Sequence, residues 1–206
     1  KIERFFYEMK FRKIAFIGVG VTNTDLIKLF LKKGIQVTIC DRKDPDKMGD
    51  VYNQLKSLGA EFCLGDTYLD TLTDFDVVFR SPGMYFNNPK LADARKKGVV
   101  ITSEMEVFFD LCPCKIYAVT GSDGKTTTTT IIAGLLEKSG KKVYKGGNIG
   151  KALLPLIEEI NENDAAVVEL SSFQLISMRK SPDVAVITNI APNHLDVHGT
   201  MEEYID

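Results

Sequence analysis

The chain has 206 residues, of which 44% are hydrophobic, so it can bury one large core or two small ones. Its 26 basic and 28 acidic residues leave a formal net charge of -2, which gives no positive field for holding a nucleic acid backbone. No run approaches the roughly 18 consecutive apolar residues of a membrane-spanning helix, and no signal-peptide pattern opens the chain. These features predict a globular cytoplasmic protein that neither binds nucleic acid nor inserts into a membrane.

Alternating strand and helix patterns fill the first half of the chain. Apolar runs rich in β-branched residues occur at 13–17, 36–40, 75–79 and 99–101, and residues 25–33 carry an apolar stripe at helical spacing. This alternation predicts βαβ units that form a parallel sheet. A capping box of Ser and Glu at positions 103 and 106 predicts the start of a further helix.

The alternating pattern restarts after Pro113, which stands between a helix and a new strand at 116–119. A helix that ends at Gly140 follows, and then strands at 165–168 and 184–190. We therefore expect an α/β fold in two parts, a Rossmann-like domain with a parallel sheet and part of a P-loop ATPase-type domain. The expected boundaries are residues 1–112 and residues 113–206.

The end of the chain carries another helix signal. Thr200 and Glu203 match a capping box, but only a few residues follow before Asp206. Such a short helix is rarely stable without further packing, so the natural protein is expected to continue beyond this segment.

Four cysteines occur at positions 40, 63, 112 and 114. They are too few and too scattered for a disulfide framework or a paired Cys-x-x-Cys zinc site. We expect reduced thiols, with Pro113 setting a tight connection between Cys112 and Cys114, and a redox role for that pair is the less favoured interpretation.

The strongest motif is Thr-Gly-Ser-Asp-Gly-Lys-Thr-Thr at residues 120–127, between a predicted strand and a predicted helix. Its glycines allow backbone N–H groups to face an anion, and the helix behind adds its positive dipole end. Lys125 can reach the β- and γ-phosphates, and the Thr126 hydroxyl suits Mg²⁺. Val119 replaces the first glycine of the strict motif, yet the context predicts ATP or GTP binding. A turn that binds nothing is the less favoured alternative.

Two further side chains follow predicted strands of the second half. Glu169 comes at the carboxyl end of the strand at 165–168, the edge where doubly wound sheets bind ligands, and could hold Mg²⁺. His194 follows the strand at 184–190 and could be a second metal ligand. His194 and His198 have the spacing of a zinc pair, but the missing glutamate and Gly199 argue against zinc.

Taken together, these motifs resemble the Mur ligases, a family that joins amino acids to a UDP-N-acetylmuramoyl carrier using ATP. The resemblance covers nearly the whole chain. Within the family, the motifs are most similar to those of the members that add D-glutamate. The matching segments are the ATP loop at 121–127, Gly-Asn-Ile-Gly at 147–150, Glu-Leu-Ser-Ser-Phe-Gln at 169–174, Asn-His-Leu-Asp at 193–196 and Ser-Pro-Gly at 81–83.

This resemblance implies an ATP-dependent ligase of peptidoglycan synthesis that works through an acyl phosphate. ATP and Mg²⁺ are the implied cofactors, UDP-N-acetylmuramoyl-L-alanine and D-glutamate the implied substrates, and a monomer the implied state. Lys125 and His194 are the implied catalytic residues. The implied cofactor-binding residues are Gly121, Ser122, Asp123, Gly124, Lys125, Thr126 and Thr127. The implied substrate-binding residues are Thr22, Asp41, Arg42, Gly83, Asn148, Ser171 and Gln174, and the metal ligands Thr126, Glu169 and His194. The family's C-terminal domain and carbamylated lysine would lie beyond Asp206, so we expect little turnover from this chain alone.

Three alternatives stay open at this point. Gly-Val-Gly-Val-Thr-Asn at 18–23 and an acid at the end of the second strand, Asp41, also suit a nicotinamide-dependent reductase. A folate polyglutamylating ligase shares the ATP core but lacks the first domain. A regulatory module with a vestigial nucleotide site would bind no ATP.

Overall fold

The computed structural model of this chain describes residues 1–192 and 200–205. Two parallel sheets dominate these residues, which confirms the predicted α/β class. The first sheet has the strand order β3-β2-β1-β4-β5, in which the order reverses on either side of β1. Its strands are β1 (Ile14–Ile17), β2 (Val37–Asp41), β3 (Glu61–Leu64), β4 (Val77–Phe79) and β5 (Val100–Thr102).

Helices connect the strands of the first sheet. They are α1 (Ile2–Met9), α2 (Val21–Lys32), α3 (Pro45–Met48), α4 (Asp50–Ser57), α5 (Pro89–Lys96) and α6 (Glu104–Leu111), with a 3-10 turn at Leu72–Asp74. The predicted start of α6 is confirmed, since the Ser103 hydroxyl accepts a hydrogen bond from the Glu106 amide at 3.3 Å. Asn88 caps α5 in the same way, because its side-chain oxygen accepts from the Lys90 amide at 2.9 Å.

The second sheet has the order β7-β8-β6-β9, with β6 and β8 in its interior. Its strands are β6 (Lys115–Thr120), β7 (Val143–Gly147), β8 (Ala165–Glu169) and β9 (Val184–Ile187). The accompanying helices are α7 (Lys125–Lys138), α8 (Ser172–Leu175) and α9 (Met201–Ile205), with a 3-10 helix at Leu154–Glu159. Since all pairings are parallel, the loops that follow β6, β7 and β8 meet at one edge.

Several boundaries differ from the sequence-based prediction. Helix α2 begins at Val21, four residues before the predicted start, and β9 ends at Ile187 rather than at residue 190. Strands β3 and β7 were not predicted. Both are edge strands with partly exposed residues, so neither carries the continuous apolar run that marks a buried strand.

The main apolar core extends from the first sheet to the second. At its centre the rings of Phe16 and Phe79 stack with centroids 4.6 Å apart, and Phe30 meets each of them edge-on. Offset stacking and edge-to-face contacts are the favoured arrangements for aromatic rings. Among residues 1–192 and 200–205, no helix combines the length and apolar character needed to cross a membrane.

A buried carboxyl group joins the two sheets. Glu104, on α6, is 3% exposed, and its Oε1 accepts hydrogen bonds from the amides of Leu153 and Leu154 at 2.8 and 2.6 Å. These amides lie at the start of the 3-10 helix Leu154–Glu159, where helical N–H groups lack partners. Burial raises the pKa of Glu104 to about 7, although the two backbone hydrogen bonds oppose the shift.

Candidate functional site

The phosphate loop joins the end of β6 to the start of α7, as predicted. Gly124 has φ +79° at the N-cap of α7, and Gly121 has φ +132°. A Cβ at Gly121 would lie 2.2 Å from Thr188 Oγ1, so only glycine allows the loop to approach the segment after β9 this closely. The amides of Ser122 and Asp123 donate to Asn189 at 3.0 Å each, which holds the loop on that segment.

The N-terminus of α7 supplies the donors for an anion. The first amides of a helix have no acceptor within the helix, and those of α7 belong to Lys125, Thr126 and Thr127. The Lys125 ammonium folds over the loop and donates to the carbonyl oxygens of Gly121 and Ser122 at 2.8 and 3.1 Å. This places a positive charge and free helix-end amides at the same turn, which suits a phosphate group.

Glu169 lies at the centre of the site. Parallel pairing sets it beside Val119 of β6 and Gly147 of β7, so the register brings three strand ends together. Its Oε2 accepts from the Thr126 hydroxyl at 2.6 Å and its Oε1 accepts from the Asn148 amide nitrogen at 3.0 Å. The sequence predicted these three residues for the site, and the structure brings them into contact.

The chemistry of this contact suits a divalent cation. Glu169 is only 2% exposed, and no ion pair within the described residues involves it. A buried carboxylate with neutral partners alone is costly, and a bound cation would lower that cost. Hydroxyl and carboxylate oxygens such as those of Thr126 and Glu169 are the ligands that Mg²⁺ prefers.

Gly147 fixes the approach of the Asn148 turn to Glu169. Its φ is +99°, and a Cβ at this position would lie 2.2 Å from the Glu169 carbonyl oxygen. That carbonyl accepts from the Asn148 amide at 2.8 Å. The glycine at position 147 therefore has a steric reason, because any larger residue would push Asn148 away from the carboxylate.

His194, the third expected metal ligand, lies outside the described residues, as do Asn193, Asp196 and His198. Over residues 1–192 and 200–205, no group of three or more His, Cys, Asp or Glu side chains could hold a metal ion. Thr126 and Glu169 are thus the expected ligands that the structure places together.

Ser171 and Gln174 form the start of α8. The Ser171 amide and hydroxyl both donate to Gln174 Oε1, at 3.0 and 3.1 Å. Gln174 is 3% exposed and lines a cavity of about 10 Å³ between the sheets, together with Thr22 and Arg80. These contacts give Ser171 and Gln174 a structural role at the start of α8, and their role in substrate binding stays a prediction.

The remaining expected substrate residues lie on the first sheet. Asp41 ends β2, and its two carboxylate oxygens accept from the amides of Val19 and Lys43 at 3.2 and 2.8 Å. It thereby ties the turn after β1 to the end of β2. Arg42 is exposed and lies 3.5 Å from Asp66 in an open cleft of about 600 Å³.

Gly83 lies in the Ser-Pro-Gly turn that follows β4. A Cβ at Gly83 would meet no atom within 4 Å, so packing within the described chain does not require a glycine there. The turn itself lies close to the turn after β1, since a Cβ at Gly18 would lie 3.6 Å from Ser81 Oγ. The two turns flank the point where the strand order reverses, the usual ligand position in such sheets.

Sequence reasoning missed Arg80, which is 2% exposed at the end of β4. Its guanidinium donates to the carbonyl oxygens of Met84 and Phe173 at 2.9 and 3.2 Å and to Ser177 Oγ at 2.9 Å. Burial lowers its pKa from the usual value. Arg80 thus joins the Ser-Pro-Gly turn to α8. The sequence signal that could have indicated this residue is a charged side chain directly after an apolar strand.

Two family models match consecutive parts of the chain. The model of the Mur ligase MurD-like N-terminal domain matches residues 12–103, and that of the Mur ligase middle domain matches residues 119–206. Together they cover most of the described fold and separate at the connection between the two sheets.

Curated relatives agree with the family models. The UDP-N-acetylmuramoylalanine--D-glutamate ligase of Acetivibrio thermocellus is 50% identical over 205 residues, which are 100% of this chain and 44% of the relative. The enzyme of the same name from Clostridium kluyveri is 51% identical over 197 residues, 96% of this chain and 43% of the relative. The chain therefore spans less than half the length of these relatives.

Solved structures show the same fold. The UDP-N-acetylmuramate-alanine ligase of Thermotoga maritima matches with a TM-score of 0.53 at 24% identity, over 94% of this chain and 45% of that one. A UDP-N-acetylmuramate:L-alanyl-gamma-D-glutamyl-meso-diaminopimelate ligase from Neisseria meningitides matches with a TM-score of 0.55 at 22% identity. This match covers 94% of this chain and 65% of that one. Both family models and the sequence identity along nearly the whole of this chain agree, so this chain belongs to the Mur ligase family.

Proposed function

We propose that this chain is the substrate- and nucleotide-binding part of an ATP-dependent ligase that adds D-glutamate to UDP-N-acetylmuramoyl-L-alanine. Relatives about half identical along the whole chain carry that name. The observation that carries the proposal is the contact of Thr126 and Asn148 with Glu169 beside the phosphate loop. We assign residues 1–112 to the UDP substrate and residues 113–206 to ATP.

The proposed reaction has two steps. The substrate carboxylate attacks the γ-phosphorus of ATP, which breaks the bond to ADP and gives an acyl phosphate. The amine of D-glutamate then attacks the acyl carbon and releases phosphate. Both steps bring anions together, so positioning and charge neutralisation are the main tasks of the protein.

Lys125 and the start of α7 perform the first of these tasks. The ammonium now donates to two backbone carbonyl oxygens, and it can exchange them for oxygens of the β- and γ-phosphates, which bear full negative charge. The first amides of α7 would donate hydrogen bonds to the same phosphates. Loss of Lys125 would weaken nucleotide binding and slow phosphoryl transfer together.

Thr126 and Glu169 are the residues that would hold Mg²⁺, with His194 as the further ligand expected from the sequence. When bound, Mg²⁺ offsets the charge of the phosphate oxygens. Glu169 is kept in place by Asn148, whose own turn is fixed by Gly147. Asn148, Ser171 and Gln174 face the muramoyl end of the substrate in this proposal.

The first sheet would bind the uridine diphosphate. Backbone amides for the diphosphate come from the turn after β1 together with the start of α2, where Thr22 lies, and from the turn after β4, which contains Gly83. Arg42 extends into an open cleft at the end of β2 and can supply a planar pair of donors. Asp41 holds the β1 turn through the Val19 amide and so shapes this site.

A thermal-shift experiment tests the proposal. UDP-N-acetylmuramoyl-L-alanine and ATP with Mg²⁺ should each raise the melting temperature, because a ligand at 100 times its Kd stabilises the folded state by about 2.7 kcal/mol. Lys125→Ala should lose the shift with ATP and keep the shift with the UDP substrate. A shift with NAD(H) instead of the UDP substrate would identify a nicotinamide site. An unchanged ATP shift in Lys125→Ala would show that ATP does not bind at the phosphate loop.

A further inference from the structure

Two thiols face each other in the connection between the two sheets. Helix α6 ends at Leu111 and β6 begins at Lys115, so only Cys112, Pro113 and Cys114 lie between them. The Sγ atoms of Cys112 and Cys114 are 3.5 Å apart. Pro113 restricts the backbone between them, which holds the two side chains near each other. The proposed ligase chemistry uses neither thiol.

The environments of the two thiols differ. Cys112 is partly exposed, whereas Cys114 is 6% exposed. The hydrogen bond with Cys114 lowers the pKa of Cys112, and the Lys180 ammonium adds to the effect. The same hydrogen bond raises the pKa of Cys114, the thiol that keeps its proton. Cys112 therefore has the properties of an attacking thiolate, and Cys114 those of its proton donor.

We propose that Cys112 and Cys114 form an oxidisable dithiol, which closes to an intramolecular disulfide when the chain meets a hydroperoxide. Closure needs an approach of about 1.5 Å from the present sulfur separation, since a disulfide bond is about 2.05 Å long. Rotation of the partly exposed Cys112 side chain can supply much of this movement. The disulfide would close a ring that contains Pro113, and this ring would restrict backbone rotation in the connection between the sheets.

The chemistry balances in two steps. The Cys112 thiolate attacks an oxygen of hydrogen peroxide, the O–O bond breaks, and the products are a sulfenic acid and hydroxide, which takes up a proton to form water. The Cys114 sulfur then attacks the Cys112 sulfur, the S–O bond breaks, and the leaving hydroxide combines with the Cys114 proton as a second water. Two thiols lose two electrons, and the peroxide accepts them.

The other two cysteines provide an internal reference. Cys40 and Cys63 are opposite each other in the pairing of β2 with β3, so they are also close. Cys40, however, is 0% exposed, and burial raises its pKa to about 12. A buried neutral thiol reacts poorly with peroxide. We therefore expect this pair to stay reduced under conditions that oxidise the connection.

Peptide mapping tests the proposal on the intact chain. Cleavage after Lys and Arg gives one peptide, residues 98–115, that contains Cys112 and Cys114, whereas Cys40 and Cys63 fall in peptides 34–42 and 57–80. After hydrogen peroxide and then alkylation, peptide 98–115 should lose two hydrogens and take up no alkyl group. Both reference peptides should stay fully alkylated. Full alkylation of peptide 98–115, equal oxidation of the reference pair, or disulfide-linked dimers would each overturn the proposal.

Single variants test the assigned roles. Cys114→Ser leaves Cys112 without its partner, so its sulfenic acid should accumulate and react with dimedone. Cys112→Ser should give no dimedone product on Cys114. Circular dichroism shows whether each variant is folded. If a variant does not fold, the peptide map of the wild-type chain still tests the proposal. The reverse dimedone pattern would contradict the assignment of Cys112 as the nucleophile.

Discussion

Replacement of Glu104 by glutamine should make the protein more stable at alkaline pH than the wild type. The pKa of Glu104 is raised from 4.5 to about 7 in the folded state, because burial disfavours the carboxylate. Between these values the folded chain keeps a proton that the unfolded chain has lost. The free energy of unfolding of the wild type therefore falls as the pH rises through this window.

The size of the effect follows from the two pKa values. At about 1.36 kcal/mol per pKa unit, the difference between 4.5 and about 7 corresponds to about 3 kcal/mol lost by pH 8. Glu104→Gln removes this cost. It also keeps the acceptor, because Oε1 alone accepts from both Leu153 and Leu154, and the amide oxygen can take its place. The variant should be more stable by less than about 1 kcal/mol at pH 5 and by up to about 3 kcal/mol at pH 8.

Urea unfolding followed by circular dichroism at pH 5, 6, 7 and 8 measures the difference. Glu162→Gln makes the same chemical change at an exposed site and should alter the free energy of unfolding by less than about 0.5 kcal/mol. Glu104→Ala should be less stable than wild type at every pH, since it leaves two buried amides without an acceptor. A Glu104→Gln variant less stable than wild type at pH 8, or a difference that does not change with pH, would refute the reasoning.

Two further predictions concern the turn beside the Glu169 carboxylate and the contact between the sheets. Gly147→Ala should destabilise by more than about 2 kcal/mol, because its Cβ would meet the Glu169 carbonyl oxygen in addition to the positive φ. Gly140→Ala is the matched control, since it has φ +87° with no atom within 4 Å of the Cβ and should cost only about 1–2 kcal/mol in thermal or urea unfolding. Arg80→Met should cost about 2–4 kcal/mol in the same assays, because it removes the donor to Ser177 and two carbonyl oxygens and keeps only an unbranched apolar side chain. A loss below about 0.5 kcal/mol would show that these bonds contribute little.

The sequence predicted the parts of the fold in which local pattern and burial agree. Strand β1 and residues 116–119 of β6 are continuous apolar runs, and the loop after β6 has glycines where the backbone turns. Parallel strands end at one edge, so the predicted position of Glu169 at the carboxyl end of β8 was enough to expect it near Thr126. Strand ends and the residue types of the loop were therefore enough to predict that part of the site.

Contacts between the two sheets could not be predicted in this way. Glu104 and Arg80 look like ordinary charged residues next to a helix start and a strand end. Their roles depend on which surface of the first sheet packs on the second, and helical or strand periodicity carries no information about that. The capping box at Ser103 and Glu106 predicted where α6 begins, but it did not indicate that Glu104, in the first turn, is buried against the 3-10 helix Leu154–Glu159.

The central claim is that the phosphate loop and Glu169 together bind a nucleotide with its metal ion. Calorimetric titration of ATP with and without Mg²⁺, on the wild type and on Glu169→Gln, tests it most directly. Glutamine keeps the shape and an acceptor for Thr126 but removes the negative charge. We expect Mg²⁺ to tighten ATP binding to the wild type at least about tenfold, about 1.4 kcal/mol, and to have little effect on Glu169→Gln. Equal Mg²⁺ dependence in both proteins would contradict the account.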